Sequence, residues 1–169
     1  MKQRHIVLFA ICIAAMALVI LFFSALHKHN EKAEKIEHIP DTSLVTIDGE
    51  EFSLTEMRHG QKTALLFFSP DCEFCQKEIE GIIANKDSFP NVRWVFVTLS
   101  TLEELDDFLS EYPLESIPDA KVCITDGPQL YIALDVTAPP TLFIYGSDGH
   151  LEHYSRGAVS INTILEWIN

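Results

Sequence analysis

The sequence predicts an α/β sandwich, in which a mixed central sheet is flanked by helices, behind one N-terminal transmembrane helix. Three observations lead to this prediction. Residues 6–26 carry no charge, and about 20 apolar residues are enough to cross a bilayer as a helix. Residues 44–169 alternate strand-like and helix-like patterns, as layered α/β domains do. One apolar run ends just before Cys72-Glu73-Phe74-Cys75, where a helical pattern begins.

Residues 6–26 are predicted to form an uncleaved transmembrane anchor, preceded by a cytoplasmic tail at residues 1–5. A cleaved signal peptide is one alternative, but its apolar region should run only about 7–15 residues. A lipoprotein is the other, because Cys12 could carry a lipid, although the bulky Ile11 precedes it. The length of the apolar run favours the anchor over both alternatives.

The charges around the span set its expected orientation. Lys2 and Arg4 precede it without any acidic residue, which favours a cytoplasmic N-terminus. Three lysines that follow the span weaken this signal. Cysteine chemistry supports the same orientation, because disulfides persist outside the cytosol. We therefore expect a single-pass protein of the inner (cytoplasmic) membrane, with its C-terminal domain in the periplasm or outside the cell.

The rest of the chain is predicted to form a linker and one domain. Residues 27–43 alternate lysine and glutamate and are predicted to be a linker. His27 and His29 are predicted to be solvated, with contact to a metal as the alternative. Residues 44–169 have the length of a single domain. The chain carries a formal net charge of −13, and residues 38–169 alone, with 7 lysines and arginines against 22 aspartates and glutamates, carry −15. This acidity argues against nucleic acid and anionic lipid headgroups as partners.

The elements of the domain follow from residue periodicity and turn residues. A hairpin is predicted around Asp48-Gly49, a favoured turn dipeptide. The strands are expected, in order, at Leu44–Ile47, Phe52–Leu54, Thr63–Phe68, Val92–Leu99, Ala120–Ile124, Thr141–Tyr145 and His150–Ser155. The helices are expected at Cys72–Ala84, residues 101–112, Gln129–Leu134 and Ile161–Ile168.

The helix at residues 101–112 combines apolar and acidic residues at helical spacing. Ser100 and Glu103 fit a capping box at its N-terminus. The acidic residues are predicted to form its solvated face, and an acidic docking patch is the alternative.

The pair Cys72 and Cys75 carries the main functional signal. Two cysteines three residues apart in the first turn of a helix lie close enough for a low-strain disulfide. The first one sits where the helix dipole favours a thiolate. Structural zinc sites use the same spacing, but no second C-x-x-C or H-x-x-x-H supplies the other ligands. The pair is therefore predicted to be a redox-active dithiol.

Three segments of the domain match the motifs of one known group of proteins. They are residues 65–78 around the dithiol, Pro140-Thr141-Leu142-Phe143-Ile144, and Asp148-Gly149 with Arg156-Gly157. With these segments the chain resembles the thioredoxin-like superfamily, specifically the TlpA-type and cytochrome c-maturation branch of membrane-anchored thiol-disulfide oxidoreductases. The resemblance covers residues 44–169. It implies a thioredoxin-like three-layer sandwich whose redox group is the Cys72–Cys75 disulfide, with no other cofactor and no metal.

The resemblance also implies roles for three side chains. Cys72 would be the attacking thiolate, and Cys75 the buried thiol that resolves the mixed disulfide. Glu78 lies one helical turn beyond Cys75 and would take part in the acid–base chemistry of the cysteines. The alternative for Glu78 is a plain surface carboxylate.

The resemblance also implies a groove that binds the substrate beside the dithiol. Pro140 would be the cis-proline that faces the dithiol, and Pro139 and Phe74 would also contact the substrate. The sequence departs from the family pattern at three places. Leu66 replaces the buried strand aspartate of ordinary thioredoxins, Asp71 replaces the tryptophan before the dithiol, and Pro139 offers no N–H to a substrate. These departures predict a restricted set of client proteins.

Local charge predicts the redox direction. The helix dipole stabilises a thiolate by about 0.3–1 kcal/mol at an exposed position, but Asp71 and Glu73 flank Cys72 and oppose it. A relatively stable disulfide is expected, so the protein would reduce client protein disulfides. Its electrons would come from an integral membrane thiol carrier in the same membrane.

A copper(I) carrier is one rival hypothesis, because the soft thiolates of Cys72 and Cys75 suit that ion. His150 and His153 could serve as further ligands. No methionine lies beside the dithiol, which makes this reading weaker than the oxidoreductase.

A thiol peroxidase on the same fold is the second rival. Ser69-Pro70-Asp71-Cys72 resembles a T-x-x-C signature, but Leu65 stands where that signature has a proline.

Two cysteines lie outside the dithiol. Cys12 is predicted to be an apolar residue of the membrane span. Cys123 is predicted to be a buried core thiol, with a third redox cysteine as the alternative.

Overall fold

The computed structural model describes residues 5, 13, 15–24, 36–58, 60–125 and 127–168. The chain divides into two compact units, Met1–Lys35 and Ile36–Asn169. In the first unit residues 15–24 are helical, while most of the rest of the predicted span at 6–26 lies outside the described residues. Among the residues that are described, no helix is both long and apolar enough to cross a membrane.

The described part of the second unit is built on a mixed sheet of seven strands. They are β1 (Ser43–Thr46), β2 (Glu51–Ser53), β3 (Lys62–Phe67), β4 (Val92–Thr98), β5 (Ala120–Ile124), β6 (Thr141–Tyr145) and β7 (Leu151–Arg156). Their spatial order is β2-β1-β5-β4-β3-β6-β7. Strand β4 runs parallel to β3 and β5, and the other neighbours are antiparallel. The predicted mixed sheet is confirmed.

Helices cover both faces of this sheet. They are α1 (Glu73–Ala84), α2 (Leu102–Glu111), α3 (Gln129–Ala133) and α4 (Ile161–Ile168). Successive side chains of a strand point to opposite faces of the sheet, so β3 contributes side chains to the hydrophobic core on each face. Leu66 packs with residues of α1, α2 and α4, whereas Leu65 and Phe67 pack with residues of α3 on the other face. Burial on both faces explains why β3 is a continuous apolar run rather than an alternating one.

The domain begins earlier than the predicted boundary at residue 44, since the compact unit starts at Ile36. Ile39, predicted to lie in the linker, is 1% exposed and belongs to the core that contains Leu65. Its backbone N–H donates to the carbonyl of Gly149 at 3.1 Å. Ile36 is partly buried against the same core, so the end of the predicted linker packs as part of the domain.

The capping box predicted at Ser100 and Glu103 is wrong by one residue. Thr101 is the N-cap of α2, and its Oγ1 accepts from the N–H of Glu104 at 3.3 Å. The Glu104 carboxylate accepts in turn from the N–H of Thr101 at 2.8 Å. Ser100 lies one step outside, with its N–H bonded to Thr98 Oγ1.

Candidate active site

The two cysteines lie where β3 ends and α1 begins. The chain turns after β3 with a hydrogen bond from the Cys72 N–H to the Ser69 carbonyl at 3.1 Å. Cys72 is the extended N-cap of α1, and its carbonyl accepts from the Gln76 N–H at 3.0 Å. Cys75 follows in the first helical turn. Both are free thiols, Cys72 half-buried and Cys75 fully buried.

Burial sets the chemistry of Cys75. Desolvation is the main cause that raises the pKa of this thiol to about 12. The neighbouring Cys72 thiol and the charge of Glu78 raise it further, against a lowering contribution from the Ser69 backbone. Cys75 therefore stays protonated at neutral pH, and Cys72 is the one thiol of the pair that an incoming disulfide can reach.

A proline loop faces Cys72. The Pro139–Pro140 peptide bond is cis, and the Cys72 Sγ lies 3.8 Å from the Pro139 carbonyl oxygen. The loop leads directly into β6, where Thr141 is paired with Phe67 at the end of β3. The Thr141 hydroxyl donates to the Ala138 carbonyl at 2.7 Å. Sheet register thus brings the predicted substrate loop to the dithiol, with Pro139 contributing a carbonyl and no N–H.

Glu78 is a buried carboxylate, and the alternative of a surface carboxylate is wrong. Its side chain is 5% exposed, and Oε2 accepts from the Val159 N–H at 3.2 Å. Its Oε1 has no hydrogen-bond partner within the described parts of the chain. Burial raises the pKa of Glu78 to about 7, with the Val159 hydrogen bond acting in the opposite direction. The group can therefore change its protonation near neutral pH, within electrostatic reach of Cys75.

A groove of about 290 Å³ opens beside Glu78, between α1 and the segment before α4. It is lined by Phe74, Lys77, Glu78, Gly81 and residues 158–161. Phe74, two residues after the half-buried Cys72, is 65% exposed, so its aromatic ring lies in the solvent.

The remaining surroundings are apolar or aromatic. Leu66 is fully buried in the core beneath α1, so no carboxylate occupies the position where thioredoxins have one. Tyr131 was missed by sequence reasoning. Burial raises its pKa to about 12, and the charge of Cys75 contributes to the rise. Its hydroxyl donates to the Val97 carbonyl at 3.4 Å. Nothing in the sequence around Tyr131 indicates that its side chain interacts with Cys75.

The structure does not bring His150 and His153 to the dithiol. Strand β6 starts at Thr141 beside the cysteines and ends at Tyr145, and five residues of strand span roughly 17 Å. His150 follows the turn at that far end. The ring of His153 stacks on Trp167 at 4.9 Å between centroids. The suggestion that these histidines complete a copper site with Cys72 and Cys75 is wrong.

Cys123 is fully buried in β5, and it belongs to the core on the face opposite Cys75. Burial raises the pKa of its thiol to about 12. The prediction of a core thiol is confirmed, because Cys123 is neither exposed nor on the side of the sheet that holds the dithiol.

Comparisons with known proteins agree with this geometry. A model of the AhpC/TSA family matches residues 36–154. Sporulation thiol-disulfide oxidoreductase A of Bacillus subtilis (strain 168) is 26% identical over 137 residues, which cover 79% of this chain and 82% of that protein.

Two solved structures share the fold. A secreted Mycobacterium tuberculosis disulfide oxidoreductase, homologous to E. coli DsbE, has a TM-score of 0.65 and 19% identity, covering 80% of this chain and 96% of its own. A thioredoxin-family thiol:disulfide interchange protein from Chlorobium tepidum TLS has a TM-score of 0.66 and 20% identity, covering 78% and 93%. The predicted thioredoxin-like fold and the resemblance to the thioredoxin-like superfamily are confirmed.

Proposed function

The chain belongs to the AhpC/TSA family, and on that basis we propose that it is a membrane-anchored, extracytoplasmic thiol-disulfide oxidoreductase that reduces the disulfides of a restricted set of client proteins. Thiol-disulfide exchange is the activity in the name of its Bacillus subtilis relative. The observation that carries the proposal is the half-buried Cys72 at the start of α1, next to a buried Cys75 whose pKa is about 12.

In the proposed reaction the Cys72 thiolate attacks one sulfur of a client disulfide and forms a mixed disulfide, which releases the other client sulfur as a thiolate. Cys75 then loses its proton and attacks the Cys72 sulfur. The bond between Cys72 and the client breaks, and the second client thiolate leaves. The client gains two electrons, and the Cys72–Cys75 pair loses two as it forms a disulfide.

The second step needs a proton acceptor for Cys75. Glu78 fits this role, because its pKa of about 7 leaves a large fraction of it ionised at neutral pH. In the mixed disulfide Cys72 carries no charge, which removes one cause of the raised pKa of Cys75. Glu78 would take the proton directly or through one water.

Two features support a restricted client set. Pro139 presents only a carbonyl to an extended client segment, because proline has no backbone N–H. Asp71 and Glu73 are exposed on either side of Cys72, so acidic segments would be repelled from the thiol. Phe74, Pro139 and Pro140 are the proposed client-contacting residues.

Charge also supports the reductive direction. The carboxylates of Asp71 and Glu73 oppose the stabilisation of a Cys72 thiolate by the N-terminus of α1. A less stabilised thiolate makes the disulfide harder to reduce, and such a protein donates electrons to its clients. An integral membrane thiol carrier would restore the dithiol.

The uncharged run at residues 6–26 supports the proposed anchor. In bacteria that express the full chain, the protein should sediment with membranes and resist extraction by salt. A protease added to spheroplasts should remove the domain. Cleavage only after the cells are lysed would contradict the proposed N-in orientation.

Trapping of mixed disulfides tests the oxidoreductase directly. A Cys75→Ser variant lacks the resolving thiol and should accumulate in cells as reductant-sensitive adducts with client proteins. Cys72→Ser is the matched control, since it lacks the attacking thiol and should form none. Equal adducts in both variants, or none in either, would contradict the proposed role of Cys72.

A further inference from the structure

A second cluster of potential ligands lies at the end of the sheet opposite the dithiol. His38 forms an isolated antiparallel bridge with His150, and the centroids of their rings are 4.1 Å apart. Glu37 precedes His38, and one ligand atom from each of the three side chains lies within 4.8 Å of the other two. All three side chains are exposed, so an ion can reach them from solvent.

We propose that Glu37, His38 and His150 form a binding site for a divalent transition-metal cation of the zinc type. Imidazole nitrogens suit zinc, copper and nickel ions, and zinc also accepts a carboxylate oxygen. A tetrahedral zinc ion with bonds of about 2.0–2.2 Å holds its ligand atoms roughly 3.4 Å apart. Small side-chain rotations would close the cluster to this spacing, and a water would fill the fourth position.

The backbone holds the two histidines in place without an ion. The N–H of Ile39, next to His38, donates to the Gly149 carbonyl at 3.1 Å, and the His150 carbonyl accepts from the Gly146 N–H at 2.8 Å. The His150 N–H donates to Asp148 Oδ1 at 3.0 Å. With the backbone of these residues already fixed, only side-chain rotation is lost when the ion arrives.

Charge around the cluster also favours a cation. The chain carries a formal net charge of −13, and the Asp148 carboxylate lies beside the backbone of His150. A bound ion would tie residues 37–38, at the start of the domain, to the turn between β6 and β7. The site would therefore stabilise the folded domain by mass action, at a distance from the thiol chemistry.

Zinc titration of the full chain tests the proposal. The protein is first oxidised, so that Cys72 and Cys75 are in a disulfide and cannot bind the metal. Calorimetry should then show one zinc ion per chain, with an increased melting temperature in its presence. Loss of a residue that only hydrogen-bonds to a metal ligand weakens metal affinity roughly tenfold to hundredfold. Loss of a ligand itself should weaken it at least as much, so His38→Ala and His150→Ala should each raise the Kd for zinc by at least that factor.

Two further variants make the test specific. His153→Ala is the matched control, because His153 lies on the same hairpin with its ring stacked on Trp167, and it should leave Kd unchanged. Glu37→Gln removes an exposed charge with no loss of packing and should also weaken zinc binding. It therefore tests the site even if a histidine variant fails to fold. Wild-type zinc affinity in both His38→Ala and Glu37→Gln would overturn the proposal. So would binding that is lost only when His27 and His29 are replaced.

Discussion

The carboxylate of Glu78 accepts a hydrogen bond from the backbone N–H of Val159 at 3.2 Å, which joins the active-site helix α1 to the segment before α4. The carboxylate is buried, and its pKa is raised to about 7 by desolvation. Its charge also raises the pKa of Cys75. One side chain therefore links the stability of the domain to the acid–base state of the dithiol.

Stability should fall as the pH rises from 4.5, the ordinary pKa of Glu78, to its folded value of about 7. Between these values the folded state holds a proton that the unfolded state has lost, so the free energy of unfolding decreases with pH. Below this window the carboxyl is protonated in both states, and its ionisation costs the folded state nothing. Above the window the carboxyl is ionised in both states, and the cost of burying that charge lowers the free energy of unfolding by roughly 3 kcal/mol, from the usual conversion of a pKa difference.

Urea unfolding of the wild type and Glu78→Gln across this pH window measures the effect. The variant has no titrating group at this position, so the difference between the two proteins should grow as the pH rises. Glu80→Gln is the matched control on the exposed side of the same helix and should behave as the wild type. A wild-type to Glu78→Gln difference that is constant with pH would contradict the buried, titrating Glu78.

Removing neighbouring groups should lower the pKa of Cys75 in steps. Cys72→Ser removes one cause of the rise, and adding Glu78→Gln removes another. The pKa should nevertheless stay above 9, its ordinary value, because burial is the largest cause. Thiolate ultraviolet absorbance against pH measures it in a background with Cys12 and Cys123 replaced by alanine. An unchanged pKa after Glu78→Gln would mean that the carboxylate charge does not reach Cys75.

Thr101→Ala should destabilise the domain by about 1 kcal/mol, because it removes the N-cap of α2. The Thr101 side chain accepts from the Glu104 N–H in the wild type. Ser100→Ala, one residue earlier, should change stability by less than about 0.5 kcal/mol. Denaturant unfolding of both variants decides between the two positions, and the reverse order would restore the capping box expected from the sequence.

Cys123 should not react with thiol reagents in the folded protein. Its thiol is fully buried, and its pKa is raised to about 12. In a reduced Cys12→Ala protein, iodoacetamide should label Cys72 first and Cys123 only after denaturation, as peptide mass spectrometry would show. Labelling of native Cys123 at the rate of Cys72 would place it among the redox-active thiols.

The sequence predicted the strands and helices of the domain to within a few residues because their patterns are local. The run around Leu65 and Leu66 is apolar throughout, and it becomes a central strand that packs on both faces. Cys72 and Cys75 were recognisable because their chemistry depends on a helical spacing that the sequence shows directly.

The environment of Glu78 could not be predicted in the same way. Its carboxylate is bonded to the N–H of Val159, 81 residues away along the chain, and no local pattern indicates a contact over that separation. The pairing of His38 with His150 similarly depends on Ile39 entering a core built by distant strands. Ser100 and Thr101 are both residue types that cap helices well, so the sequence does not decide between them; the two reciprocal hydrogen bonds between Thr101 and Glu104 do.

The midpoint potential of the Cys72–Cys75 pair tests the proposed reductase most directly. It is measured by equilibration with thiol redox buffers, on the full chain with Cys12 and Cys123 replaced by alanine. We expect a value near that of thioredoxin, about −270 mV, because Asp71 and Glu73 flank the dithiol. A value near −120 mV, typical of the strong oxidant DsbA, would contradict it and make the protein a disulfide donor.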